Sequence, residues 1–438
     1  MPFRSLPTAF TRRQSLALAG AALLTGCGWN DDGAAAGTLG QSLADSDARA
    51  FYAARNGQPA WDRSKADALM RIVGGAQAHG LAPAAFAPKA PPGGGNDEAL
   101  TLAALGYARA LASGFVEPTK VEPIFTLERN RVDLAAGLGQ ALDHGDLDGW
   151  FAALPPADDE YKALSAAYLA ALGQAGLAAA PARGVPGGAP TDPAEQARQL
   201  AANLERRRWL ARNPPAHRID VSLATAGLAY LRPGQEAWTT RVVVGQPDHP
   251  TPSLQATFHK LVANPPWRVP QTIAETEILP KGAGYLARQD MRVVDGRVVQ
   301  APGPKCALGQ VKFDVEDDDD IYLHDTPAKA LFARAERHRS HGCVRVENAV
   351  AFARSLAAET GRADAFDQAL ASKDTHEVEL GQSIPVRLLY HTAWVDQAGQ
   401  VMLSPDVYGT DDRLAAALGL GQAAAVAARR QPEADFGP

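Results

Sequence analysis

Two hydrophobic periods divide this chain. From about residue 46 to 180, apolar residues recur at helical spacing. Examples are Leu69 and Ile72 in KADALMRIVGGAQAHG, and the Ala/Leu stripe of EALTLAALGYARALASG (98–114), which ends at a glycine. Residues 131–155 and 160–180 read as two more helices, and 194–215 as a connecting helix. After Pro215 the period shortens to two. Ile219, Val221 and Leu223 alternate with polar residues, and LAYLRPGQEAWTTRVVVG reads as a hairpin turning at RPGQ. SLQATFHKLVAN, QVKFDV, IYLHD, SIPVRLLYHTAWV and QVMLSP continue as strands, with a helix at about 347–359. The pattern predicts an α+β multidomain chain. An all-helical domain at 46–180 is followed, after a Gly/Pro linker (181–193) and the connecting helix, by a mainly-β, sandwich-like or partly open barrel domain at 216–415 and a tail at 416–438.

Composition narrows the reading. The 438 residues are 46% hydrophobic, enough for more than one core, and carry a net charge of −6 with no basic block, which disfavours a nucleic-acid partner. Arg206, Arg207 and Arg208 read as a solvated or ion-paired helix side. The N-terminus differs from the rest. Arg4, Arg12 and Arg13 precede an apolar run from Leu16 to Leu24, then small residues and Cys27. That is an export signal at 1–26, with a twin-arginine pair, followed by a tether at 27–45.

The densest chemistry is IYLHDTPAKALFARAERHRSHGCVRVE, from Ile321 to Glu347, with three of the ten histidines and one of the three cysteines. His338, His341 and Cys343 do not have zinc-finger spacing, and DVEDDDD (314–320) lacks the alternating ligands of a calcium loop; we expect no metal. Three readings stay open on spacing alone: a Cys343 nucleophile with His324 as base, an inert thiol among structural histidines, or a Cys306–Cys343 disulfide. No G-x-S-x-G, Walker loop, G-x-G-x-x-G or H-E-x-x-H occurs.

His324, a fifteen-residue gap and Ser340-His341-Gly342-Cys343-Val344-Arg345 together resemble the L,D-transpeptidases with a YkuD-type catalytic domain. NLERRRWL (203–210), VVVGQPDHPTP (242–252), NPPWRVP (264–270), GYLARQ (284–289) and FYAARNGQPAW (51–61) resemble the YcbB-like periplasmic branch. That branch usually has a peptidoglycan-binding module where this chain has its linker. LTGC resembles a lipobox with Cys27 as the lipidated residue. The resemblance implies a scaffold role for the helices and a thiol acyltransferase that uses no cofactor. Cys343 would be the nucleophile and His324 its base and acid. Ser340 would help orient the histidine, while His341 and Gly342 shape the turn and, with Cys343, supply oxyanion-binding N–H groups. Arg345, Tyr322 and Trp267 would meet substrate. A mobile cap would span about 268–305, with Gly282, Gly284 and Gly303 as hinges.

The implied substrate is a peptidoglycan tetrapeptide stem, cross-linked 3→3 to a second stem. Implied partners are stem peptides, a membrane through the lipid anchor, and other cell-wall synthesis enzymes. The implied location is the Gram-negative periplasm, on the outer membrane. The alternatives are a carboxypeptidase or endopeptidase, an enzyme that anchors or releases lipoproteins, and a non-catalytic wall-binding lipoprotein. Transpeptidation requires Cys343 to be a free thiol and leaves Cys306 unpaired and non-catalytic.

Overall fold

The computed structural model describes residues 44–91, 94–173, 189–316 and 321–421. The export signal with Cys27, the tether to residue 43, linker residues 181–188, acidic residues 317–320 and the chain after 421 lie outside the described residues.

The N-terminal half is helical: α1 (Ser46–Ala54), α2 (Arg63–Gly74), α3 (Asn96–Ser113), α4 (Leu134–His144), α5 (Leu147–Ala153), α6 (Asp159–Leu172) and α7 (Pro193–Trp209). The FYAARNGQPAW segment is fastened to the first turns of α3. Tyr52 Oη donates to Asp97, Trp61 Nε1 donates to Thr101, and the Ala60 and Trp61 N–H groups donate to Asp97. Two expectations need correcting. Residues 131–155 form two helices, α4 and α5, because Gly145 takes a left-handed backbone at the end of α4. The connecting helix stops at Trp209 rather than 215. Leu210 turns extended to bridge Arg129, the Ala211 N–H donates to Glu128, and Pro214-Pro215 cannot continue a helix.

The C-terminal half contains β1 (Arg218–Ser222), β2 (Gly227–Leu231), β3 (Trp238–Gly245), β4 (Leu254–Ala263), β5 (Trp267–Arg268), α8 (Gln271–Ile273), α9 (Ala283–Arg288), β6 (Met291–Val294), β7 (Arg297–Gln300), β8 (Val311–Glu316) and β9 (Leu323–His324). It continues with β10 (His338–Ser340), β11 (Val344–Val346), α10 (Ala349–Glu359), α11 (Ala363–Ser372), β12 (His376–Leu389), β13 (Ala393–Val395), β14 (Val401–Leu403) and α12 (Thr410–Ala417). The main sheet runs β10-β3-β11-β9-β8-β4-β12-β1-β2, and β2 also pairs with β3, so the sheet closes on itself. The expected mainly-β domain is present, and this closure makes it a ring. Ile219, Val221 and Leu223 point inward as the alternation predicts, and α10 and α11 supply Phe352, Leu356 and Phe366 to the same core.

Residues 267–300 form a cap with its own sheet, β5-β7-β6, and a small core of Val269, Ala274, Ile278, Met291 and Val298. Gly282 and Gly303 have positive φ, but Gly284 lies inside α9 and is no hinge.

The boundary expected at 415 also needs correcting. Ala393, Leu403, Leu414 and Leu418 pack into the helical core, so the β13–β14 hairpin and α12 belong with the helices. Helix α7 is the hub of this junction. Gln199 and Asn203 bond Ser404 and Thr392. Arg206 and Arg208 are buried and ion-paired, so of the two readings offered for this arginine run only pairing holds for them. Arg207 stays at the edge, where it meets Asp158 and Glu160.

Candidate active site

His324 ends β9 and Cys343 immediately precedes β11, two strands made neighbours by the sheet. β9 and β11 pair in parallel, with His324 opposite Arg345 and Leu323 opposite Val344, and the Val344 N–H donates to Tyr322 O at 3.0 Å. Residues two apart share a strand face, so Cys343 and Arg345 lie on the side of His324. The register then crosses the sheet from His324 to Lys312, Val262 and Glu377, at about 4.8 Å per strand. This row floors a cleft of about 1330 Å³ whose walls include Cys343, Tyr322, Trp267, Glu277 and His249. The expected site residues Cys343, His324, Ser340, His341, Arg345, Tyr322 and Trp267 all line it, with Trp267 on the cap side.

His324 is buried, and its Nδ1 sits 2.5 Å from the Asp325 carbonyl oxygen. A carbonyl only accepts, so Nδ1 carries the proton and Nε2 keeps its lone pair. Burial first, then the nearby Arg345 and Lys312 charges, hold the imidazole pKa down at about 3, against the Asp325 hydrogen bond. Burial likewise raises the Cys343 thiol, while Tyr322 and the Arg345 and Lys312 charges work the other way. The resting pair is therefore a neutral thiol beside a neutral imidazole.

Asp325 was not singled out from the sequence, although it stands next to His324. Its backbone orients the ring, and its buried carboxylate accepts from Gln310 N and pairs with Lys329. The carboxylate presses on Gly309, at φ +62°, where a Cβ would come within 2.4 Å of Asp325 Oδ2. Ser340 Oγ donates to the Cys343 carbonyl at 2.6 Å and accepts the Gly342 N–H at 3.2 Å, tying the turn. The Gly342 N–H, expected for an oxyanion, is thus already engaged. Gly342 itself needs its φ of +119°, which few other residues adopt.

Thr251 was also missed, although it lies in a segment that carries the resemblance. Its hydroxyl donates to the Gly342 carbonyl at 2.7 Å and accepts the Gly245 N–H at 2.8 Å. Spacing could not find it, because ninety residues separate it from the turn.

His341 Nε2 lies 2.9 Å from Glu277 of the cap, and its ring packs on His249. His338 faces elsewhere; its Nε2 donates to Leu223 O at 2.8 Å, a structural tie to the turn that follows β1. Neither Cys306 nor Cys343 is in a disulfide, and buried Cys306 donates to Pro265 O. Among the described residues, no group of three or more His, Cys, Asp or Glu is placed to hold a metal.

Residues 216–364 match the YkuD family, described as the L,D-transpeptidase catalytic domain, and residues 46–167 match the Scaffold domain family. A Haemophilus influenzae protein described provisionally as an L,D-transpeptidase is 34% identical over 242 residues, 49% of this chain and 48% of its own length. The chain thus spans about half of that relative. Among solved structures, L,D-transpeptidase 3 of Mycobacterium tuberculosis overlaps 41% of this chain and 63% of its own, at 14% identity and TM-score 0.21. A mutant Enterococcus faecium L,D-transpeptidase overlaps 46% and 65%, at 14% identity and TM-score 0.22. The chain carries the L,D-transpeptidase catalytic domain of the YkuD family at residues 216–364, joined to a Scaffold domain at residues 46–167.

Proposed function

We propose that this protein is a peptidoglycan L,D-transpeptidase working through a Cys343 acyl-enzyme. One observation carries the reading: the His324 ring is held with Nδ1 on the Asp325 carbonyl, leaving Nε2 unprotonated, on a strand paired with the one that Cys343 leads into, at the floor of a large cleft. The donor is a tetrapeptide stem ending in meso-diaminopimelate and D-Ala. His324 Nε2 takes the Cys343 proton and the sulfur attacks the carbonyl of the diaminopimelate L-centre. The oxyanion forms in the field of Arg345 and Lys312, which line the same cleft. His324 Nε2–H then protonates the D-Ala nitrogen as the peptide bond breaks, leaving a thioester.

The side-chain amine of a second stem attacks that thioester. Its proton passes by His324 to the departing thiolate, and a 3→3 bond replaces the old one. No external energy source enters, because the donor peptide bond is exchanged for the new bond. We further propose that Cys27 is lipidated after export, so that the enzyme faces the wall from a periplasmic membrane surface.

Purified protein incubated with tetrapeptide muropeptides is expected to give 3→3 dimers and free D-Ala by mass spectrometry. Tripeptide monomers alone would move the reading to hydrolysis, and unchanged muropeptides would overturn it.

The pH dependence follows from the histidine. A ring held at about 3 is already the base throughout the range above pH 5, and burial holds the Cys343 thiol pKa above its ordinary value. Acylation rate is therefore expected to show no acid limb near 6.5, the ordinary histidine value. A stopped-flow pH profile with a half-point at 6.5 assigned to His324 would refute this. Stability behaves differently. The unfolded ring takes its proton near 6.5 and the folded one only near 3, so the contribution of His324 is full above 6.5 and declines as pH falls from there toward 3.

A further inference from the structure

The cap reaches the nucleophile's turn through Glu277. This residue lies in Ala274–Ile278, a single π turn between α8 and the 3-10 turn Leu279–Lys281. A π turn holds an extra residue and re-aims the side chains around it, and such turns concentrate at functional sites. Ala274 and Ile278 are anchored in the cap core, so the backbone carrying Glu277 is set by packing. Its neighbours are exposed and bond only one turn back along the chain: Glu275 accepts from Gln271 and the Thr276 hydroxyl donates to Thr272 O. Glu277 instead accepts from His341 Nε2 at 2.9 Å, across the cleft wall, with both side chains largely buried. His341 is covalently two residues from Cys343, in a turn otherwise tied by Ser340 and Thr251.

We propose that Glu277 is a positioning residue: its carboxylate fixes the His341 ring and so makes the cap the third support of the Cys343 turn. The proposal rests on Cys343 being the acylated residue. Glu277 need not touch substrate. It acts by holding the sulfur on the line of attack, where a displacement of about 1 Å is enough to slow chemistry by up to ~10²-fold. A Gln at this position keeps an oxygen that accepts the same bond, whereas Ala removes it.

The test compares wild type, E277A, E277Q, H341A and the E277A/H341A double variant, measuring acylation by a carbapenem followed by mass. E277A is expected to lower the limiting rate by on the order of tenfold to a hundredfold. The half-saturating concentration should stay within about twofold and E277Q should recover most of the rate, because only positioning has changed. The double variant should be no slower than H341A, because the two residues act as one unit. Additive losses, or a loss confined to half-saturation, would overturn the proposal. Nitrogen-15 NMR of the imidazoles supplies a readout that needs no activity. The His341 Nε2–H signal should persist in E277Q and vanish or exchange rapidly in E277A. An unchanged signal in E277A also overturns the proposal, whereas a wild type that takes no adduct refutes the acyl-enzyme reading instead.

Discussion

Replacing Cys343 with Ala is expected to abolish carbapenem acylation, with stem-peptide turnover falling by on the order of 10⁴-fold or more. The wild-type chain should gain the mass of one opened carbapenem, C306A should gain it too, and C343A should gain none. The contrast with Cys306 makes the experiment specific. Cys306 is buried, its thiol donates to Pro265 O, and burial raises its pKa, so it offers neither access nor thiolate. Cys343 opens onto the cleft beside His324. H324Q should retain the site but slow acylation by ~10²–10⁴-fold, the usual worth of a placed base. An adduct on C343A, or full-rate acylation of H324Q, would remove the thiol–imidazole pair from the mechanism.

Arg206→Ala is expected to lower stability by about 3–5 kcal/mol, because it strands buried carboxylates rather than trimming a surface charge. The Arg206 guanidinium reaches Asp411, Glu122 and Thr410 and lies over the Tyr390 ring at 5.2 Å. Burial opposes its charge, but the Asp411 and Glu122 carboxylates outweigh burial and raise its pKa. Asp411 is in the converse position. Burial and the Asp406 charge lift it to about 7, even with Arg206 opposing them.

Without the arginine, Asp411 would take up a proton on folding. A native pKa above the unfolded one makes that uptake harder as pH rises. The destabilisation should therefore be larger at pH 8 than at pH 5. Denaturant midpoints of wild type and variant at both pH values measure it, and a difference under about 1 kcal/mol at pH 8 would show a surface-like pair. Because this cluster joins α7 to α12, we expect the C-terminal hairpin to become protease-sensitive first.

Both results turn on placements that differ in how far they could be read from the chain. The change of period at Pro215, the inward alternation of Ile219, Val221 and Leu223, and the Ala-rich helices were legible, because each is a local property of consecutive residues. The His324 and SHGC segments were legible as a pattern. Spacing alone left disulfide, inert-thiol and nucleophile readings open, and resemblance rather than periodicity favoured the last. Asp325 and Thr251 were not legible, since what matters is a backbone carbonyl in one case and a partner ninety residues away in the other. The burial of Arg206 and Arg208 was equally hidden. A run of arginines reads as either solvated or ion-paired until carboxylates from Glu205 and distant Asp411 are found beside it.

The sequence by itself determined the two-part architecture, the mainly-β character of the second part and the residues competent for thiol chemistry. These follow from backbone periodicity and from side-chain chemistry, which need no partner. Only the tertiary structure decided that the sheet closes through β2 and β3, that residues 393–418 dock on the helices, and which tautomer His324 holds. It also decided that a cap carboxylate meets His341. Each of these is a contact between segments far apart in the chain, where the winning arrangement is the one that pairs buried polar groups and fills the core, and no local pattern encodes that choice.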